Sequence, residues 1–362
     1  MGILDWVVLI FSIGFIVLYG IWKNIKNKDL QEYFKGNNKS RWWTIGISVM
    51  ATQASAITFL STPGQAYSDG MGFIQFYFGL PFAIIIVSMF FLPIYHKLKV
   101  YTAYEFLEKR FNKKTRNLAS LLFLIQRGLA AGITIYAPAI IMSLILKWPL
   151  YLLIIIIGSL VTFYTLIGGT KAVNVTQKQQ MFVIFIGLFI TIYYIFKGIP
   201  KEFSLNEVLE IAGANGKLDI LNFDLDFKSR YTFWSGITGG LFLALSYFGT
   251  DQSQVQRYIS GKSLKESQKG LFFNAILKVP MQFFILFIGV SVFVFYQFNI
   301  SPINFNTAAL EKVRNSKFNT EFEILEQKHK ETQEEKFFLM KTFPESNEIQ
   351  EIKKLQEEEL LI

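Results

Sequence analysis

Long apolar runs recur along this chain, and their length decides which solvent it folds in. An apolar segment of roughly 20 residues can cross the hydrocarbon of a bilayer. Runs near residues 4–22, 42–63, 72–95, 118–146, 149–168, 179–197, 232–250 and 268–298 reach or approach that length. With 52% of 362 residues hydrophobic and Phe present 38 times, there is more apolar surface than one water-soluble core consumes. Backbone polar groups in lipid must be satisfied within the segment, so such runs span as helices. The sequence predicts an all-α polytopic membrane protein of about eight spans. Residues 1–298 form its transmembrane region and 299–362 a charged, extramembrane helical loop or tail. The first run passes into "WKNIKNKD" with no small-residue cleavage site, so it reads as a retained span.

The positions of Lys and Arg set an orientation, because basic short loops stay on the cytoplasmic side. Lys23, Lys26, Lys28, Lys35, Lys39 and Arg41 follow the first run, and a second basic cluster including Lys97, Lys99, Lys109 and Arg116 follows the third. The loop after the second run has no basic residue, and the loop after the fourth has only Lys147. The alternation places the N-terminus outside and the basic loops inside, in a plasma (inner) membrane. On this reading the net charge of +9 is mostly topology and does not imply a nucleic-acid partner. The tail carries thirteen acids against nine bases, with charge pairing at helical spacing. Zero Cys excludes disulfides, thiolate metal sites and cysteine nucleophiles. The only histidines, His96 and His329, lie at a span end and in the tail, so no His-metal or Ser-His constellation assembles within the spans. Neither an enzyme nor a bound cofactor is expected.

Within the second run, "MATQASAITFLST" sets small polar residues where lipid-facing side chains would be apolar. Two readings fit: close helix packing through Ala, Ser and Thr, or a break in the helix whose freed carbonyls face a wet cavity. The seventh run offers a second interruption. Gly236, Gly239 and Gly240 weaken its first half, and Gly249, Asp251 and Gln252 close it. Two ionisable groups fall at mid-membrane depth, Arg127 and Lys278. Each either snorkels or pairs with an acid such as Asp251, or contacts a substrate.

Four stretches in order, "QASAITFLSTPGQAYSDG", "KVYTAYEFLEKRFNKKTR", "YTLIGGTKAVNVTQKQQMFVIF" and "SYFGTDQSQVQRYISGKSLKESQKGL", resemble the sodium/solute symporter family of sodium-coupled sugar, proline and sialic acid carriers. The resemblance runs from about Trp6 to Phe298. It implies an inverted-repeat, five-plus-five helix core preceded by one extra helix, and import of a small organic solute with sodium as coupling ion. By position it implies that the carbonyls of Ala51 and Ala54 supply part of a sodium site. Gln53, Ser55 and Thr58 then line the substrate cavity. Tyr247 falls at an aromatic inner gate, its other reading being a core aromatic, and Lys278 matches a cavity lysine of the sugar carriers. Arg127 lies about one turn from the carboxylate-binding arginine of the sialic acid carriers and is kept as a substrate candidate.

Departures from the pattern matter too. Gly79 and Ala244 stand where sugar carriers hold their ligand with an acid and an amide, which argues against a hexose. Gln177 replaces an acid linked to a second sodium, which favours one coupling ion. The family's sodium site is completed by hydroxyls from a helix after the eighth span, and this sequence resembles instead the external loop preceding that helix. The expectation is a symporter with an incomplete second repeat, apparently truncated at its C-terminus. The alternative is a non-transporting membrane sensor or partner subunit derived from one. Solute identity, stoichiometry and oligomeric state are not legible.

Overall fold

The computed structural model describes residues 2–24, 39–226 and 228–342, with 352, 354–356 and 358. Lys26, Lys28 and Lys35, used in the orientation argument, lie outside the described residues, as does most of the tail beyond residue 342. Among the described residues every regular element is a helix, and the one β-type pairing is an isolated bridge between Ser40 and Gly261.

Helix α1 (Ile3–Asn24) carries the apolar run Ile3–Phe15. The second run is split into α2 (Trp42–Gln53) and α3 (Ala56–Asp69), bent by 62° at the break. The third run is a composite span, Met71–Leu98. It holds a 3-10 segment (Met71–Tyr77), α4 (Gly79–Ile86), a π-helical turn (Val87–Phe91) and α5 (Leu92–Leu98). Helix α6 (Tyr104–Arg110) leads into α7 (Lys113–Leu146), where the Asn112 side chain caps the first turn by accepting the Thr115 N–H at 2.9 Å. Helices α8 (Leu150–Ile167) and α9 (Val173–Lys197) meet at a kink on Gly169, whose φ of +57° and ψ of −162° suit glycine alone. After α10 (Leu205–Ala214) come α11 (Phe233–Thr250), α12 (Gln252–Ile259) and α13 (Leu264–Phe298). Two surface helices, α14 (Thr307–Arg314) and α15 (Asn319–Thr342), occupy the charged tail. Among the described residues five helices are long and apolar enough to cross a membrane, six with the bent pair. Helix α11, read from sequence as a span, falls short of that measure. The protein is therefore a helical, multi-pass membrane protein.

The chain divides into two compact units interleaved along the sequence. The first comprises Met1–Leu60, Phe73–Ile186 and Leu221–Phe284. Its core joins Ile45 and Val49 of α2, Leu80 and Ile84 of α4, Phe248 of α11 and Tyr258 of α12. Helix α11 runs against α4 and the 3-10 segment at backbone distance. A Cβ at Gly236 would lie 2.0 Å from the Gln75 carbonyl oxygen, one at Gly240 2.5 Å from that of Phe76, and one at Gly79 2.2 Å from the Leu241 nitrogen. The sequence reading took Gly236 and Gly240 as weak points in α11. The helix instead continues unbroken to Thr250, and these glycines let two backbones touch. The same contact explains Gly79, since no side chain of any kind fits there. Gln75, 1% exposed, fastens this seam by accepting the Asn222 N–H at 2.9 Å and donating to the Tyr231 carbonyl at 3.2 Å.

The second unit comprises Ser61–Gly72, Gly187–Ile220 and Ile285–Ile362. Here the end of α3 is held by Lys217, which donates to the Ser68 carbonyl at 2.5 Å and stands 4.7 Å from the centre of the Phe293 ring. Gly70 turns the chain at φ +78°, where a Cβ would also strike the Lys217 carbonyl oxygen at 2.8 Å. Helix α10 begins with a capping box in which Ser204 and Glu207 exchange side-chain and backbone hydrogen bonds. Those bonds from Ser204 hold the Glu207 carboxyl below its usual range. Its folded-state value is depressed, so its stabilisation is present above the ordinary carboxylate range and lost as pH falls through the lowered value. Thermal unfolding of Glu207→Gln should accordingly trail the wild type near neutral pH and converge with it in acid. A constant gap across pH would contradict that cap.

Candidate functional site

The break in the second run is where local sequence and site geometry meet. Helix α2 ends with the Ala54 N–H on the Ala51 carbonyl at 3.1 Å, and Ala54 leaves helical geometry at φ −89°, ψ 84°. The next turn starts with the Thr58 N–H on the Ser55 carbonyl at 3.0 Å, while the Thr58 hydroxyl reaches back to the Gln53 carbonyl at 3.3 Å. Thr58 thus bridges the break. Small polar side chains permit this arrangement, because their hydroxyls replace backbone partners that an interrupted helix loses.

Gln53, the last residue of α2, reaches the Val49 carbonyl at 3.3 Å and Asn274 Oδ1 at 3.1 Å. It also lines a cavity of about 310 Å3 with Tyr77, Leu80, Ala244, Tyr247 and Phe248. Tyr247 accepts a hydrogen bond from Gln254 Nε2 at 2.7 Å, which fixes its hydroxyl against α12. Its ring packs edge-on to Phe248 at 5.4 Å. Ala244 on this wall is the position where the resemblance expected an amide.

Of the two cations singled out within the apolar runs, Arg127 pairs with Asp251 and places its guanidinium 5.7 Å from the centre of the Tyr247 ring. It does not line the cavity. Asp251 is spent on both sides: it holds Arg127 with one oxygen, and with the other accepts the Ser253 N–H at 2.8 Å as N-cap of α12. Nearby, burial and then the Asp251 charge push the Tyr104 hydroxyl up to about 12, against a Gln252 hydrogen bond and the Arg127 charge. Lys278 lies one aromatic ring behind the cavity wall, its ammonium 5.7 Å from the centre of Tyr77.

Gln177 ties α9 to the first half of the broken helix. Ser48 Oγ lies 2.8 Å from Asn174 Oδ1 and 2.6 Å from Gln177 Oε1, and Gln177 Nε2 donates to the Thr52 hydroxyl at 3.1 Å. The site therefore brings together Gln53 and Tyr247, sets Ala51, Ala54, Ser55 and Thr58 at the break, and keeps Lys278 and Arg127 outside the cavity wall. Sequence reasoning did not single out Tyr77 or Asn274. A larger cavity of about 570 Å3 among α5, α6 and α7 is walled mostly by apolar side chains, including Phe91, Leu122 and Phe123, with Tyr104 and Gln126 among its polar groups.

An apolar bundle with one broken helix beside a small cavity belongs to the class of multi-pass helical membrane proteins whose polar chemistry is buried at mid-chain breaks. Residues 33–319 match the model of the Sodium:solute symporter family, and the chain belongs to that family. It is 34% identical over 267 residues to sodium-coupled monocarboxylate transporter 2 of Bos taurus, covering 74% of this chain and 43% of that protein. It is 29% identical over 280 residues to the sodium/iodide cotransporter of Homo sapiens, covering 76% and 43%. Among solved structures it is similar to a Na+-coupled sialic acid symporter in a substrate-bound outward-open state, with TM-score 0.79 and 29% identity over 84% of this chain and 65% of that one. The chain spans less than half the length of these two curated relatives.

Proposed function

We propose that this chain carries part of the working fold of a sodium-coupled symporter that imports a small organic solute by alternating access. The observation that carries the reading is the break at Ala54–Ser55, set in an apolar helix whose last residue, Gln53, lines a cavity of about 310 Å3. Sodium binds at the Ala51 and Ala54 carbonyls, because a hard cation takes backbone oxygen. Two carbonyls leave most of its coordination to other oxygen donors, among them water and, by the family resemblance, hydroxyls of a further helix. Gln53, Ser55, Thr58 and Tyr247 handle the solute, with Lys278 and Arg127 behind them. Residues 1–298 are the transporting region, in an inverted-repeat arrangement, and 299–362 an extramembrane element. The protein resides in the plasma (inner) membrane with its N-terminus outside. A sodium ion entering down a membrane potential supplies about 2.3 kcal/mol per 100 mV, enough to drive useful accumulation.

The test is sodium-dependent solute uptake into proteoliposomes. Thr58→Val, which removes the hydroxyl that bridges the break, should lower uptake about tenfold, the worth of one well-placed hydrogen bond. Ala51→Leu should abolish it. Uptake that persists with potassium in place of sodium, or wild-type rates in both variants, would overturn the reading.

A further inference from the structure

The cavity of about 570 Å3 among α5, α6 and α7 has no part in the transport reading, yet its volume is that of a small-molecule site. Tyr95 and Ala103 on its wall are buried, and Tyr95 is fixed there by donating to the Gly249 carbonyl at 2.7 Å. Phe90 and Ile94 on the α5 side and Leu122 on α7 are exposed lips, so the cavity opens at the flank of two apolar spans. Ile94 lies four residues before the end of the third span at Leu98, and Leu122 nine residues after the start of α7 at Lys113. At ~1.5 Å per residue the mouth is within about 15 Å of both helix ends, which is the depth of lipid headgroups and the upper acyl chain.

That end of the protein is strongly basic. Residues 96–116 carry seven Lys and Arg against two acids, Glu105 and Glu108. One helical turn from the lining, each wall carries a cation: Lys97 beyond Ile94, Arg110 beyond Leu107, and Arg116 before Ala119. Both acids are engaged. Glu105 accepts the Tyr101 N–H at 3.1 Å, and Glu108 pairs with Arg116. Lys97, Arg110, Lys113 and Lys114 are exposed and have no carboxylate partner among the described residues.

An apolar cavity open to the bilayer and a rim of uncompensated cations point to one ligand that is greasy at one end and anionic at the other. A sterol would fill the cavity and leave the cations unanswered. Free phosphate would meet the cations and leave the cavity unfilled. A zwitterionic lipid would bring its own cation into a basic rim. An anionic phospholipid answers both, and basic clusters at helix ends attract such lipids. We propose that this cavity is a binding site for an anionic phospholipid, with an acyl chain among Phe91, Leu122 and Phe123 and the phosphate at the rim formed by Lys97 and Arg110. Tyr104 and Gln126 on the wall can donate to its ester carbonyls. The site depends on the chain's residence in a membrane and not on transport.

The experiment is thermal unfolding of the purified full chain in detergent micelles doped with phosphatidylglycerol or with phosphatidylcholine of the same acyl chains, and with inorganic phosphate alone. Phosphatidylglycerol should raise the wild-type Tm well above the value in phosphatidylcholine, and phosphate should leave it unchanged. Lys97→Gln/Arg110→Gln, at two exposed positions, should weaken the apparent phosphatidylglycerol affinity about thirtyfold. Leu122→Trp, which obstructs the mouth from an exposed position, should unfold like the wild type without lipid and lose the response. Lys201→Gln/Lys228→Gln removes the same charge at exposed positions elsewhere and should keep it. Equal shifts with the two lipids, a phosphate effect as large as that of phosphatidylglycerol, or a full response in both Lys97→Gln/Arg110→Gln and Leu122→Trp would overturn the site. An equal loss in Lys201→Gln/Lys228→Gln would also overturn it, by showing that net charge alone attracts the lipid.

Discussion

Gly236→Leu should destabilise the protein by about 3 kcal/mol or more, while Gly239→Leu, three residues along the same helix, should be neutral or slightly stabilising. A Cβ at Gly236 would lie 2.0 Å from a backbone oxygen of Gln75, whereas one at Gly239 meets nothing within 4 Å. The obstacle at Gly236 is main chain, which no rotamer change relieves, so α11 must move away from the 3-10 segment and open the seam that Gln75 fastens. Overpacking of this kind costs ~1–3 kcal/mol even where side chains can give way. At Gly239 the only intrinsic change is a gain in helix propensity of somewhat less than ~1 kcal/mol. Gly240→Leu should behave like Gly236→Leu. Thermal unfolding in detergent distinguishes the cases, and a similar cost at all three positions would mean that glycine flexibility, and not close approach, is what α11 requires.

Asp251→Ala should be the costliest single loss among the charged residues, at about 3 kcal/mol. Removing one member of a buried pair costs ~3–5 kcal/mol because the other charge is stranded. The lower end applies here, since the Arg127 side chain is 33% exposed and water screens it partly, while Asp251 is only 10% exposed. Loss of the N-cap of α12 is included in that figure and accounts for about 1 kcal/mol of it. Arg127→Met should cost less, because Asp251 keeps its hydrogen bonds to Ser253. Asp251→Asn, which retains an oxygen for the cap, should fall between them. The double variant Asp251→Ala/Arg127→Met should show a coupling of at least ~1 kcal/mol. Additive losses would show that the pair is incidental.

Much of this organisation is readable in the residues. The break in the second span is written in "TQASAIT", because a helix in lipid loses stability where hydroxyls and small side chains offer its backbone alternative partners. Pairing with Asp251 is one of three roles the sequence allows Arg127, beside snorkelling and substrate contact, and the structure forms that pair. The glycines of α11 misled for a physical reason. A glycine that weakens a helix and one that admits a neighbouring backbone look the same until the neighbour is known. Tyr77 is hidden in a chain with 16 Tyr and 38 Phe, where one ring carries no signal. Asn274 did leave a signal, four residues before Lys278, which places both on one helix face. The subdivision of the third span into 3-10, α and π turns has no comparable trace in an almost uniformly apolar run.

The central claim is that the interrupted helix holds sodium on its backbone oxygens. Equilibrium binding of radioactive sodium to the purified full chain tests it most directly, since it requires neither a known solute nor turnover. The account predicts saturable binding that potassium does not displace and that Ala51→Leu removes, with Gly239→Leu retaining it as a control for helix substitution. Absence of saturable sodium binding, or binding unchanged by Ala51→Leu, would contradict it.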